Sequence, residues 1–234
     1  MHLRLTTFNC RGLKGSITDL VSLSKVSDII CLQETWLMSN ELGILNDCVP
    51  GLSGVWCFCI DISSGLLRGR PYGGVAILWH KSLNYNIQSV YSGLDWLLAV
   101  TVSDDNHNLY NADIRYLDCL GKIGPYMILG DFNCNHSPCG KVLNDHITDC
   151  DLTLIDCYLP SDSYTYISDV WHSSSWLDHC VAPKCVLSLL VDCKVIYDSY
   201  NSDHFPLATT IDIHACNTHF VGTECSKPQS MFLH

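Results

Sequence analysis

The sequence predicts an α/β protein in which two β-sheets pack face to face and helices cover them. Many short apolar segments of strand length are separated by turn-forming residues, and only a few segments have the spacing of an amphipathic helix. This pattern is typical of packed sheets flanked by helices. No internal repeat and no low-complexity linker interrupts it, and 234 residues fit one large domain or two small ones.

The first half of the chain is predicted to contain most of the strands. Alternation over residues 3–8 and a continuous apolar run over residues 28–32 predict two strands. Between them, Ser16-Ile17-Thr18-Asp19 predicts a capping box that begins a short helix. Further strands are predicted over residues 55–60, 73–79, 85–91, 97–102 and 109–114.

The second half mixes helices with short strands. Residues 115–122 and 141–150 are predicted helices, and the apolar residues 127–129 form a predicted strand between them. Strand-like or apolar segments follow over residues 152–157, 163–168, 175–181, 186–197 and 207–211.

The composition is that of a globular chain with a sizeable core. Although 47% of the residues are hydrophobic, no run approaches the roughly 18 to 20 apolar residues needed to span a bilayer, so we expect no membrane association. The N-terminus runs directly into a strand, without the features of a signal peptide. We therefore expect a nuclear or cytoplasmic protein that is not secreted, acting as a monomer without a stable protein partner.

The net charge of −11 opposes strong non-specific binding to nucleic acid, because such binding rests on lysine and arginine. It does not exclude a nuclease, since a metal site is itself acidic. The 15 cysteines are scattered, and many, such as Cys31, lie in apolar strands, which indicates small buried hydrophobes in a reducing compartment. Zinc pairs such as Cys57 and Cys59 are the alternative, but none has the CxxC spacing.

Polar side chains follow the ends of several predicted strands. Asp131 and Asn133 come after residues 127–129, and Asp203 and His204 come before residues 207–211. An apolar strand that stops abruptly in such residues places them at the rim of a sheet, where sites are built. These side chains bind a hard divalent cation and activate water beside it. The alternative is that each is a turn, since Asp and Asn are common turn formers.

Five such signals occur in a fixed order: Thr7-Phe8-Asn9, Leu32-Gln33-Glu34-Thr35, Gly130-Asp131-Phe132-Asn133, Ser175-Trp176-Leu177-Asp178-His179 and Ser202-Asp203-His204. This order resembles the endonuclease/exonuclease/phosphatase superfamily. Asn9-Cys10-Arg11-Gly12-Leu13, Gly73-Gly74-Val75-Ala76-Ile77 and Tyr164-Thr165-Tyr166 are similar to the endonuclease domain of non-LTR (LINE-type) retrotransposons. The resemblance sets a domain over residues 1–214 and leaves 215–234 as a tail that we expect to be loosely attached.

The resemblance implies a four-layer α/β sandwich, with two facing mixed β-sheets flanked by helices. It also implies a phosphodiesterase that depends on Mg²⁺, with Mn²⁺ as the alternative ion. The implied metal ligands are Asn9, Glu34 and Asp203. The implied catalytic residues are Asp131, Asn133, Asp178 and His204, and the implied substrate contacts are Thr165, Tyr110 and Arg11.

Elementary chemistry agrees with these implied roles. Asp131 would orient or deprotonate the attacking water, and Asn133 would hold the phosphate or the water. His204 would donate to a phosphate oxygen as charge develops on it. Asp178 would accept from the other ring nitrogen of His204 and fix its tautomer. By contrast, His80 and His179 have no partner in the pattern, and we expect both to be surface or half-buried histidines.

The sequence departs from the family pattern after the strand near Leu109. Family members carry an Asn-Val-Tyr-x-Pro type segment there, followed by a long loop and a helix. Here the stretch from about residue 110 to 130 is shortened and the proline is missing. Tyr110 and Tyr116 are the candidates for the catalytic tyrosine. Arg11 stands where abasic-site endonucleases have an acid, which favours the retrotransposon branch.

Three functions remain open from the sequence. The first is a DNA-nicking endonuclease domain of retrotransposon origin. The second is a catalytically impaired or dead fragment of the same fold, kept as a binding domain or as a decayed element, which the shortened stretch motivates. The third is a small-molecule or lipid phosphodiesterase. We expect no exposed apolar hairpin, and its absence, together with the missing signal peptide, would argue against the secreted lipid-cleaving branch.

Overall fold

The computed structural model describes residues 2–58, 72–90, 97–103, 109–113, 126–134, 138–198 and 200–213. In chain order its strands are β1 (His2–Asn9), β2 (Ile29–Gln33), β3 (Leu52–Cys57), β4 (Val75–His80), β5 (Asn86–Val90), β6 (Ala99–Ser103), β7 (Leu109–Asp113), β8 (Tyr126–Asp131), β9 (Leu152–Leu154), β10 (Tyr166–Ile167), β11 (Ser174–Ser175), β12 (Asp178–Pro183), β13 (Leu190–Val195) and β14 (Leu207–Asp212). The α-helices are α1 (Ile17–Ser24), α2 (Ile44–Asp47) and α3 (Pro138–Asp149), and 3₁₀ turns span Ser39–Glu41, Ile155–Tyr158 and Lys184–Leu189.

Two six-stranded sheets form the centre of the fold. The first has the order β13-β14-β1-β2-β4-β3, and the second has the order β5-β6-β7-β8-β12-β9. Each is mixed, because β1 and β2 run parallel in the first sheet and β7 and β8 run parallel in the second. A separate two-stranded hairpin, β10-β11, completes the strand pairing of the described residues.

The two sheets face each other across an apolar core. Leu5 and Cys31 from the first sheet pack in one buried cluster with Met127, Leu129 and Cys180 from the second. Neighbouring residues along each strand point to the opposite face, as the pleat requires. The central strands β2 and β8 are buried on both faces, which explains why they are continuous apolar runs rather than alternating ones.

Helices cover the outer faces. Leu20 and Leu23 of α1 and Leu45 of α2 pack on the outer face of the first sheet. Ile147 of α3 packs with Tyr126 and other outward residues of the second sheet. The arrangement is a four-layer α/β sandwich, which confirms the predicted fold class. None of the helices in the described ranges is long and apolar enough to cross a membrane.

The predicted capping box is wrong. Ser16 precedes α1, but its hydroxyl donates to the carbonyl oxygen of Cys10 at 2.8 Å and makes no cap hydrogen bond. The carboxylate of Asp19 accepts from the backbone N–H of Asn201 at 2.9 Å. Ser16 therefore bonds within the loop after β1, and Asp19 joins α1 to the segment before β14.

One predicted strand is shorter in the structure than in the sequence prediction. The predicted strand over residues 152–157 shortens to β9 and turns into the 3₁₀ segment Ile155–Tyr158. The predicted helix over residues 115–122 and the tail over residues 215–234 lie outside the described residues. Among the cysteines, Cys10 and Cys31 are buried, and burial raises the pKa of each thiol to about 12, as expected of small core residues.

Candidate active site

One rim of the first sheet collects three of the five strand-end signals. Because β1 and β2 are parallel and in register, they end together, with Asn9 beside Gln33 and Glu34 next in the chain. Strand β14 runs antiparallel to β1, with Leu207 opposite Thr7. The residues that enter β14, Asp203 and His204, therefore lie at the same rim.

The second sheet supplies the other two signals. Strands β8 and β12 are antiparallel, and Asp131 at the end of β8 lies directly opposite Asp178 at the start of β12. The two rims meet where the sheets pack. The side-chain amide of Asn9 donates to Asp131 Oδ2 at 3.0 Å, and His204 Nδ1 lies 2.8 Å from Asp178 Oδ2. The structure thus brings these four predicted residues into one network.

Asp131 is the most heavily bonded carboxylate of the network. Besides the bond from Asn9, it accepts the backbone N–H of Asn133 at 2.8 Å and the Asn133 side-chain amide at 3.1 Å. Asn133 adopts a left-handed backbone conformation with φ 49°, which turns its own amide back towards the carboxylate. These hydrogen bonds fix the orientation of both groups, and the catalytic roles of Asp131 and Asn133 stay predictions.

Asp178 and His204 form a buried acid–imidazole pair. Their relative exposures are 1% and 6%, and the other ring nitrogen of His204, Nε2, lies 3.9 Å from Asp131 Oδ2. Burial raises the pKa of Asp178. Burial lowers the pKa of His204, but the hydrogen bond and charge of Asp178, with Asp131 and Asp203 nearby, outweigh it and raise the pKa above its ordinary value. Asp178 thereby fixes which ring nitrogen faces Asp131.

Glu34 directly follows β2 in a left-handed conformation with φ 53°. Its Oε2 accepts two hydrogen bonds, from Trp36 Nε1 at 2.8 Å and from the backbone N–H of Gly73 at 2.7 Å. The Trp36 ring also packs closely against Gly12 in the loop after β1. Any larger residue would clash there, because a Cβ at position 12 would lie 2.6 Å from the ring. The carboxylate of Glu34 is thus held rigidly at the rim.

Arg11, an implied substrate contact, forms two ion pairs that the sequence did not predict. Its Nη1 lies 2.7 Å from Asp169 and 2.9 Å from Asp203, both at Oδ2. The hydrogen bond with Asp169 raises the pKa of Arg11 further. Asp203, an implied metal ligand, therefore pairs with a guanidinium in this structure, and its role as a ligand stays a prediction.

Thr165 is placed differently from the expectation that it contacts DNA. It is completely buried, and its Oγ1 accepts the backbone N–H groups of Leu177 and Asp178, each at 3.0 Å. In this structure it holds the start of β12 in place, so a contact with substrate stays a prediction. The backbone of Tyr110 lies in β7, but its side chain lies outside the described residues, as does all of Tyr116.

Sequence reasoning missed two neighbours of the network. The ring of Tyr166 packs on the ring of His204, with 5.0 Å between centroids. The β10-β11 hairpin exposes Val170 by 74% and Trp171 by 81% at its tip, so the expectation of no exposed apolar hairpin is wrong. Tyr166 lies in the quoted Tyr164-Thr165-Tyr166 segment, and two adjacent apolar residues inside a polar turn were the available signal for the tip.

His179 is also different from its prediction. It is buried, with Nδ1 2.8 Å from Asp156 Oδ2 and Nε2 3.1 Å from the carbonyl oxygen of Cys134. Burial lowers the pKa of His179, but the hydrogen bond and charge of Asp156 outweigh it and raise the pKa. No pattern in the sequence pairs residue 156 with residue 179, because only the packing of the 3₁₀ turn on β12 brings them together.

A group of side chains that could hold a hard divalent cation lies at this rim, and it shares no member with the implied ligands Asn9, Glu34 and Asp203. Asp131, Asp178 and His204 offer ligand atoms that all lie within 4.8 Å of one another. Within the described part of the chain, Asp178 Oδ1 is buried and has no hydrogen-bond partner. Carboxylate and amide oxygens suit such an ion, whereas an imidazole with a raised pKa is a poor ligand for it. His204 is therefore better placed as a hydrogen-bond donor than as a ligand.

A two-sheet sandwich with acids and a histidine at one rim defines a fold of the nuclease and phosphatase type. The model of the Endonuclease/Exonuclease/phosphatase family matches residues 6–204, and the chain belongs to this family. A search of curated proteins finds no match.

Three solved structures are similar in fold. The AP endonuclease LMAP from Leishmania major has a TM-score of 0.76 and 16% identity, over 90% of this chain and 87% of that one. A 3′ phosphatase from Neisseria bound to product DNA hairpin has a TM-score of 0.66 and 16% identity, over 90% and 99%. The endonuclease domain of TRAS1, a telomere-specific non-LTR retrotransposon, has a TM-score of 0.65 and 14% identity, over 90% and 98%.

The raised pKa of His204 gives a direct prediction. In the intact protein, NMR titration of the His204 ring should give a pKa above about 6.5. Asp178→Asn should lower that pKa, because the ring stays buried but loses its charged partner. A folded-state pKa above the unfolded value means that this contribution to stability is present below about pH 6.5 and is lost as the pH rises through the folded pKa. An unchanged pKa in the variant would contradict the pairing.

Proposed function

We propose that the chain is a metal-dependent endonuclease domain of retrotransposon origin that nicks DNA, with Mg²⁺ as its cofactor. The observation that carries the proposal is the buried Asp178–His204 pair, whose free ring nitrogen faces Asp131 at 3.9 Å. Such an arrangement places a proton donor and a proton acceptor side by side, which suits the attack of water on a phosphodiester. We propose further that the domain acts as a monomer in the nucleus or cytoplasm.

In the proposed reaction, Asp131 orients a water molecule and takes a proton from it as the water oxygen attacks phosphorus. The bond from phosphorus to the leaving sugar oxygen breaks as the new bond forms, and the leaving oxygen takes up a proton from solvent. The bonds from Asn9 and Asn133 keep the carboxylate in the orientation that this transfer needs. His204 donates from Nε2 to a phosphate oxygen as negative charge develops, while Asp178 holds the ring. Bound Mg²⁺ would neutralise phosphate charge and would be held by Glu34, Asn9 and Asp203.

The hairpin beside the site supports a nucleic-acid substrate. Its strand β10 is joined to the rim by the backbone bond from Ile167 N–H to the Asp203 carbonyl at 2.9 Å. Its tip presents Trp171 to solvent, and an exposed aromatic ring beside a phosphate site suits stacking on a base. Arg11 lies between the tip and the network, where a guanidinium suits a backbone phosphate.

The same exposed tip favours a second candidate, a lipid phosphodiesterase, because Val170 and Trp171 together would also suit insertion into a membrane surface. Asp169 at the tip and a net charge of −11 oppose adsorption to anionic lipids. Parallel assays on supercoiled plasmid, phosphoinositides and sphingomyelin separate the two candidates. We expect cleavage of plasmid alone.

The alternative of an impaired fragment rests on the missing tyrosine. Strands β7 and β8 are parallel neighbours, and residues 114–125 are the whole connection between them, close to the dozen residues that a crossover needs. The side chains of the two candidates, Tyr110 and Tyr116, lie outside the described residues, so their contact with substrate stays a prediction. Tyr166 of β10 places a different phenol ring against His204. We propose that this phenol, from another strand, contacts the phosphate instead.

Glu34→Ala should reduce nicking of supercoiled plasmid by at least about 10²-fold at low Mg²⁺, because loss of a carboxylate ligand weakens metal binding. Raising the Mg²⁺ concentration should restore part of the activity, and a chelator should abolish it in the intact protein. The matched control is Glu41→Ala, which removes another glutamate, one that pairs with Lys14 at the surface. Equal nicking by the Glu34 and Glu41 variants would sink the proposed metal role.

His204→Ala should lower the nicking rate by about 10² to 10³-fold, since it removes a donor aimed at the developing charge. Asp178→Asn should also lower it, because the amide no longer fixes the ring tautomer. The double variant should lose far less than the product of the two single losses, as residues that act as one unit do. Circular dichroism must show all three folded. Fully additive losses would show that the two residues work separately.

Trp171→Ala should weaken DNA binding by about 1–3 kcal/mol, the value of one base stacked on an aromatic ring, with little change in kcat. Gel-shift titration measures the affinity and plasmid nicking measures kcat. Tyr158→Ala is the matched control, because Tyr158 is another exposed aromatic residue and lies outside the hairpin. Equal affinities of both variants for DNA, or a selective loss of vesicle binding by the Trp171 variant, would contradict the proposed role of the tip.

A further inference from the structure

A second buried acid–imidazole pair lies back to back with the first. His179 follows Asp178 in β12, so the two side chains leave opposite faces of the second sheet. Asp178 reaches His204 at the rim, whereas His179 reaches Asp156 at 2.8 Å on the outer side. The exposures of Asp156 and His179 are 4% and 8%. The proposed reaction uses neither residue.

Both partners of the His179 ring are acceptors. Asp156 Oδ2 is a carboxylate oxygen, and the group 3.1 Å from Nε2 is the carbonyl oxygen of Cys134. Each ring nitrogen therefore donates a proton when both bonds are made. The acid itself is fixed to the strand, because Asp156 Oδ1 accepts the backbone N–H of Cys180 at 2.8 Å. The imidazole is thus a rigid link between β12 and the residue that it contacts.

That residue belongs to the loop that carries the catalytic groups. Cys134 directly follows Asn133, and Asp131 begins the same four-residue segment. The segment is also held at Phe132, whose N–H donates to the Leu177 carbonyl at 3.0 Å. The Phe132 ring meets the His179 ring edge-on at a centroid distance of 5.7 Å. His179 therefore contacts the segment both before and after Asn133.

We propose that His179, held by Asp156, is a positioning residue that fixes the orientation of Asn133 and Asp131 by anchoring the carbonyl of Cys134. The anchor at Cys134 would restrain Asn133 in its left-handed conformation with φ 49°, a region that few residues other than glycine occupy. The proposal rests on the proposed function for its catalytic consequence. Its structural content, a link that restrains the segment, stands without it.

Two isosteric substitutions separate the two bonds of the ring. His179→Asn places an amide near the position of Nδ1 and keeps a partner for Asp156, but it cannot reach Cys134. His179→Gln places its amide nitrogen near Nε2 and keeps the donor to the Cys134 carbonyl. A cavity of about 330 Å³ is lined by His179, Asp156 and Cys134, so water can satisfy the group that each variant leaves unpaired.

In plasmid nicking, His179→Asn should lower kcat by about 10- to 100-fold at unchanged KM, because a small misplacement of a catalytic group is costly. His179→Gln should keep kcat within about threefold of the parent protein. A purely structural role predicts the reverse order, since the buried charge of Asp156 loses its partner in the Gln variant. Equal losses, or a greater loss in the Gln variant, would overturn the proposal.

Amide hydrogen exchange tests the link without any activity. The N–H of Asn133, bonded to Asp131 Oδ1 at 2.8 Å, should exchange faster in His179→Asn than in the parent, and His179→Gln should restore slow exchange. If either variant fails to fold, Asp156→Asn replaces it, and faster Asn133 exchange is again expected. Unchanged exchange would overturn the proposal. An intact link in a protein that does not nick DNA would count against the proposed function alone.

Discussion

The site depends on two hydrogen bonds that cross from one sheet to the other. Asn9 of β1 donates to Asp131 of β8, and Asp178 of β12 accepts from His204 before β14. In the described core the facing sheets pack through apolar side chains, and at the rim polar groups join them. Removing one partner of a buried ion pair costs about 3–5 kcal/mol. The contacts that orient the catalytic groups are therefore also contacts that hold the two sheets together.

The negative net charge of the protein determines which interactions could bind a nucleic acid. A net charge of −11 opposes the non-specific DNA binding that rests on lysine and arginine. The groups suited to a nucleic acid are concentrated at the rim, where Arg11 neutralises two acids and Trp171 projects from the hairpin. Substrate binding would then draw on a bound cation and on stacking more than on lysines, and would respond less steeply to salt.

The sequence predicted the positions along the chain better than the partners across it. A continuous apolar run has to end where its sheet ends, which is why Glu34, Asp131 and Asp178 were recognised at strand ends. Arg11 and Asp169 are 158 residues apart, and nothing local signals their ion pair. The capping box failed because Ser16 bonds to the nearby carbonyl of Cys10 and Asp19 bonds to the distant Asn201. The sequence alone also does not tell which face of a strand a single residue occupies. His179 is an example, because its partner became known only from the register of β12.

Three residues of the rim occupy the left-handed region of backbone space: Arg11 with φ 45°, Glu34 with φ 53° and Asn133 with φ 49°. Glycine adopts this conformation without steric conflict. For other residues, the backbone strain costs of the order of 1–3 kcal/mol each. At these three positions the strain lies where the chemistry would occur. A laboratory selection for thermal stability alone would therefore favour substitutions at this rim first, and it would raise stability at the expense of activity.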